Sequence, residues 1–167
     1  MVISDKTKEA IYQLVAQCFE ENRWADRAVS VLGVEFACVQ ASKLLHYHVA
    51  HLYPAISDTL GEKCLERYNI SVEYGATPEG KDNYSSVKEI IDGFRDRAIY
   101  FQSMLIAASK IAFDQSDINI FVDIGHVLED FNEIVEQLIL LSDKISFYGN
   151  DITGFDHDIP DFWILGE

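Results

Sequence analysis

Residues Ser86 to Tyr148 read SVKEIIDGFRDRAIYFQSMLIAASKIAFDQSDINIFVDIGHVLEDFNEIVEQLILLSDKISFY, and this stretch decides the fold. In its first half Ile91, Phe94, Ala98, Phe101, Leu105, Ala108 and Ala112 recur at alternating spacings of three and four. After a short break at Asp114 to Asp117, Ile120, Ile124, Val127, Phe131, Ile134, Leu138, Leu141 and Ile145 repeat the pattern. Such spacing lines one face of an α-helix with hydrocarbon. Ser85 or Ser86 is placed to cap the first of these helices. Each is roughly 40 to 45 Å long at 1.5 Å per residue. Two helices of that length joined by a short turn pack antiparallel, and two more are needed to cover their apolar faces. The expected fold is therefore all-α: an antiparallel four-helix bundle with an extra N-terminal helix or a broken second one.

Working outward, the segment from about Asp5 to Asn22 places Ile11, Leu14, Val15 and Cys18 on one face. A second helix, with Asp26 as its cap, carries Val31, Leu32, Val39 and Leu45 on one stripe. Pro54 must kink or restart it. Pro54 to Tyr68 adds Ile56 and Leu60, and Asn69 to Tyr84, with Gly75, Pro78 and Gly80, reads as a loop. Residues 1–149 are the expected bundle. Residues 150–167 form a tail that mixes acids with Phe155, Phe162, Trp163, Ile164 and Leu165, expected to be an extended arm packed on its own bundle or on a neighbouring subunit.

Composition narrows the function. The 167 residues are 49% hydrophobic and 25% charged with 3 Pro, which suits a packed domain and not a disordered chain. Acidic residues number 28 against 13 basic, a formal net charge of -15. A surface this acidic repels phosphate backbones, so no nucleic-acid partner is expected. No apolar run approaches the roughly 20 residues that span a bilayer, and Met1 to Ala10 has no signal-peptide pattern. No membrane partner is expected, and the chain reads as cytoplasmic. Cys18, Cys38 and Cys64 are odd in number and widely spaced, which fits buried reduced thiols.

Phosphate loops, G-x-S-x-G, H-E-x-x-H and C-x-x-C are all missing. What remains is a set of histidines and carboxylates. If the second helix is continuous, Glu35 and His46 share a stripe with Ser42 between them and point toward the buried surface. If it continues through Pro54, His51, Asp58 and Glu62 share another stripe, with Glu66 one step round. Imidazole and carboxylate together suit iron, manganese or zinc. Two readings stay open for each group. Glu35–His46 is a ligand pair or a hydrogen-bonded core pair, and Asp58, Glu62 and Glu66 are ligands or a solvated face. His126, Glu129 and Glu133 read as solvated surface, and His157 is assigned nothing. A di-iron centre inside the bundle needs carboxylates from all four helices, usually with Glu-x-x-His on two of them. The long-helix seams are pure hydrocarbon and Glu-x-x-His does not occur, so an interior centre is disfavoured.

The run His51 to Glu79, HLYPAISDTLGEKCLERYNISVEYGATPE, resembles the second-helix signature of the ferritin-like Dps family, the DNA-binding proteins from starved cells. The shared features are spaced His and Asp, the Glu62–Glu66–Arg67 step and the Gly/Pro loop that follows. The resemblance implies a metal site between two subunits, in a homo-oligomeric dimer or cage that oxidises Fe(II) for iron storage or oxidative-stress protection. It places acidic ligands on Glu62 and Glu66. It puts His51 at the family's inter-helix aspartate, Glu35 at its first-helix histidine and Tyr47 at its second, flanked by His46 and His48. Those are departures, as is the lack of a basic N-terminal arm, so DNA binding is not expected. The alternative is a metal-free helical interaction protein on the same fold that has lost the site. A helical enzyme acting on a small organic substrate has no supporting motif.

Overall fold

The computed structural model describes residues 2–164. Leu165, expected to belong to the aromatic tail, lies outside them. Six α-helices follow one another: α1 (Asp5–Val34), α2 (Val39–Leu45), α3 (Leu52–Cys64), α4 (Val87–Asp114), α5 (Ile118–Tyr148) and α6 (Ile152–Phe162). A π-helical turn, His46–Ala50, joins α2 to α3, so these three pieces act as one broken helix. Ser4 caps α1 and Ser86 caps α4, each hydroxyl accepting from the backbone N–H three residues on.

The four long units close a ring in which α1 touches α3 and α4, and α5 touches α3 and α4. Each of these contacts is antiparallel. Thr7 bonds Asp117 while Glu21 pairs with Arg97 across α1 and α4. Tyr53 packs on Phe131 while Arg67 pairs with Asp123 beside α5. Every apolar position expected on α4 and α5 is buried. At the centre Tyr53, Phe101 and Phe131 pack ring against ring, with centroids 5.2 to 6.0 Å apart. Because α3 and α4 lie diagonally opposite, residues 69–86 cross the length of the bundle. That segment lies over α1, with Tyr12 Oη donating to Ser71 O at 3.1 Å and Phe19 against Tyr74 at 5.5 Å.

The first helix differs from expectation. It does not end near Asn22 and restart at Asp26; it runs unbroken to Val34. The break comes at residues 35–38, where Ala37 takes a left-handed φ of 56°. Phe36 N–H returns to Val31 O and Cys38 N–H to Leu32 O, which satisfies the last carbonyls of α1. The chain then descends antiparallel to α1. Ser42 Oγ donates to Val29 O at 2.8 Å and Asn22 Nδ2 to Ala50 O at 2.9 Å.

That second bond resolves Pro54. A proline in a helix has no N–H for the carbonyl four residues back and its ring crowds it; here that carbonyl belongs to Ala50. Pro54 sits in the first turn of α3, the disturbance falls on the π turn before it, and Asn22 supplies the donor that proline lacks. The helix thus continues through Pro54.

The tail is likewise not an extended arm. Asp151 caps α6, which folds back on α2 and α5 of its own bundle and buries Phe155 and Ile159. Its Asp156 carboxylate accepts from Gln40 N–H and Ala41 N–H at 3.2 and 2.8 Å, capping a helix whose own Cys38 offers no side-chain cap. Cys18, Cys38 and Cys64 are free and buried, as expected.

Replacing Asn22 by Ala leaves the Ala50 carbonyl without its side-chain donor. Denaturant unfolding of Asn22→Ala should show a loss of about 1 to 3 kcal/mol. A value within a few tenths of the wild type would mean that the bond does not support the Pro54 junction.

Candidate functional site

Inside the bundle, Glu21 is the one charged residue buried among the described residues, at 1% exposure. A carboxylate there needs a cation or strong donors to stay ionised. Arg97 of α4 provides both: its Nε donates to Glu21 Oε2 at 2.6 Å, and its Nη2 lies 3.5 Å from Glu20 Oε1. Gln17 Nε2 donates to the other oxygen of Glu21, also at 2.6 Å. The guanidinium lies over the Trp24 ring at 5.0 Å. Trp24 fits because Gly93 of α4 has no Cβ; one would stand 2.8 Å from the indole. Burial pushes the Glu21 carboxyl above its ordinary range despite the pull of Arg97, and it raises the Tyr53 phenol well above its own. Neither Glu21 nor Arg97 stood out in the sequence. Glu21 lies in a polar run that reads as the end of the first helix, and no spacing rule links positions so far apart on two helices.

This interior does not fit a metal ion. It offers one buried acid, both of whose oxygens are engaged, and the position opposite that acid is held by a fixed positive charge.

The seven residues singled out by sequence lie on the outer side. Glu35 and His46 do not share a buried stripe, because the break at 35–38 separates them. Both are exposed: Glu35 faces Arg27 at 3.8 Å, and His46 Nε2 faces Asp26 Oδ1 of α1 at 3.5 Å. His48 is half-buried and packs on Trp163, with centroids 5.4 Å apart; burial lowers its pKa. His51, Asp58 and Glu62 do share the outer stripe of α3, and all are exposed. Glu66 falls beyond the end of α3, in the 3₁₀ turn Glu66–Tyr68, so the Glu62–Glu66 step is not a turn of one helix.

His46 and His51 are brought together, with ring centroids 4.3 Å apart. In an α-helix five residues carry the chain about 140° past a full turn, which would put these rings on different faces. The π turn instead bonds His51 N–H to His46 O at 3.2 Å and sets the two rings side by side, tilted by 60°. Asp26 was missed as a neighbour because the sequence reading made it a helix cap. Among the described residues no three His, Cys, Asp or Glu side chains converge as a ready-made metal site. No helix of the described residues is long and apolar enough to cross a membrane.

The sequence matches no protein-family model and no curated protein. Its fold, however, is ferritin-like. The chain superposes on an open-pore ferritin from the hyperthermophilic archaeon Archaeoglobus fulgidus with a TM-score of 0.85, over 97% of this chain and 98% of that one, at 12% identity.

Removing Arg97 strands Glu21. Arg97→Ala should lose about 2 to 3 kcal/mol, the low end for a broken buried pair because the arginine is partly exposed. A carboxyl whose folded-state pKa is raised gives its full stability below the unfolded value and loses it as pH climbs through the folded one. Without the guanidinium the Glu21 pKa rises further, so the deficit against wild type should widen as pH climbs above the ordinary carboxyl range. A deficit that does not change with pH would show that Glu21 is not the group left uncompensated.

Proposed function

We propose that this chain is a ferritin-fold subunit that self-assembles and binds a divalent transition metal on its outer surface, at a contact between two copies. The observation that carries this reading is the division of charge. The bundle interior is closed by the Glu21–Arg97 pair, while His46, His51, Asp58 and Glu62 lie exposed along the outer side of the broken second helix. One chain presents too few convergent donors for an ion, and a second copy would supply the rest. Glu35 and Glu66 belong to the same outer surface, and His48 supports it through Trp163.

Self-assembly has separate support. The outer faces of α4 and α5 leave Ile99, Ile106, Phe113, Ile118, Phe121 and Val122 exposed, apolar side chains that a contact between copies would cover. The archaeal neighbour is described as a ferritin, and we extend that likeness to a homo-oligomeric assembly here. Oxidation of Fe(II) for storage or oxidative-stress protection, in the manner of the Dps family and in the cytoplasm, is the finer reading. It rests on the Glu62–Glu66–Arg67 resemblance. Iron would then be the substrate; zinc and manganese suit the same donors.

A second reading is a metal-free interaction subunit. The observation favouring it is that Arg97 takes the place of a cation inside the bundle while no external cluster is closed within one chain.

Elemental analysis of natively purified protein, with assembly mass on the same sample, tests the choice. The proposal predicts iron, zinc or manganese near one per chain or per dimer in an oligomer, lowered at least tenfold in Glu62→Ala/Glu66→Ala. A metal-free monomer or small oligomer that takes up no Fe(II) would establish the second reading.

A further inference from the structure

The structure assigns to Asp26, His46 and His51 a binding site for a first-row divalent cation that prefers imidazole nitrogen, of the Zn²⁺ or Ni²⁺ type. This inference rests on the outer-surface metal reading and names the half of the site that one chain supplies. The two ring centroids lie 4.3 Å apart with the planes tilted by 60°, and the Asp26 carboxylate lies 3.5 Å from His46 Nε2. These are two imidazoles and one carboxylate, the donor mixture that zinc takes in sites with an open fourth position.

The arrangement follows from the backbone. Asn22 and Asp26 lie one turn apart on α1, and the antiparallel register that sets Asn22 against Ala50 sets Asp26 against His46. The π turn then adds His51 to the same face. The proline junction and the metal face are thus one feature: the register that accommodates Pro54 also brings two histidines five apart onto one side. π turns of this kind recur at functional sites.

In the free chain the two rings lean against each other at an angle and are not chelating. His46 and Asp26 each have 48% of the side chain exposed, and His51 is exposed as well, so the ring edges and the carboxylate are open to an ion from solvent. An ion would draw one nitrogen from each ring and one oxygen from Asp26, leaving a coordination position for water or for a carboxylate of a second copy. His126 and His157, equally exposed, have no second histidine beside them; His157 pairs only with Asp158.

Zn²⁺ titration of the full chain, by competition with a chromophoric chelator, tests the assignment. His46→Ala and His51→Ala should each weaken binding at least tenfold, and Asp26→Asn severalfold, while His126→Ala leaves it unchanged; circular dichroism should show every variant folded. Unchanged Zn²⁺ affinity in the double variant His46→Ala/His51→Ala would overturn this inference. The two readings fail separately. If Glu62→Ala/Glu66→Ala abolishes binding while the histidine variant retains it, the site is elsewhere on the outer surface and only this assignment falls. If wild type binds no Zn²⁺ at all, both fall.

Discussion

A carboxylate sealed in hydrocarbon must either give up its charge or find a cation, and Glu21 finds Arg97. That pair settles what the bundle can do. It ties α1 to α4 at mid-length and draws the guanidinium over Trp24, whose indole has room because Gly93 carries no Cβ. It also occupies the interior with a positive charge supplied by the chain itself. With the core closed in this way, His46, His51, Asp58 and Glu62 lie on the outside, where the fold places them by backbone register and not by burial.

The second helix carries that register. Three local departures from a plain α-helix occur along it: the left-handed Ala37, the π turn and Pro54. Each is satisfied by a group from another element. Leu32 O takes the Cys38 N–H, Asn22 donates to Ala50 O, and Asp156 of α6 caps the start of α2. The C-terminal helix is therefore part of the scaffold that holds α2, and through Trp163 it also supports the ring of His48. Changes at the tail should be felt along the outer surface as well as in the core.

Long-range order in this fold was largely legible in the sequence, because α4 and α5 carry hydrocarbon at every inward turn and polar residues mark their ends. Local exceptions were not. Glu20, Glu21, Asn22 and Arg23 interrupt the apolar period of α1 and read as an ending, yet Glu21 is buried because a partner seventy-six positions away neutralises it. Ala37 breaks the chain with a conformation for which glycine would have been the signal. Pro54 did announce a disturbance, but its steric effect falls four residues earlier, which moved His46 and His51 from separate faces to one. In α6 the spacing of Phe155, Ile159 and Phe162 after a capping Asp151 was present and readable, but the mixture of acids with aromatics there suggested an extended arm. For the candidate site, the stripe His51–Asp58–Glu62 was legible because it depends only on helical spacing. Asp26 and Arg97 were not, because their roles depend on which helices meet.

The central claim is that metal belongs on the outer surface and that the interior is closed to it. Anomalous diffraction at the zinc edge, from crystals of the full chain grown with Zn²⁺, tests this directly. The account predicts a peak between His46 and His51 beside Asp26, with the Glu21–Arg97 pair intact. A peak at Glu21 within the bundle, with Arg97 displaced, would contradict it.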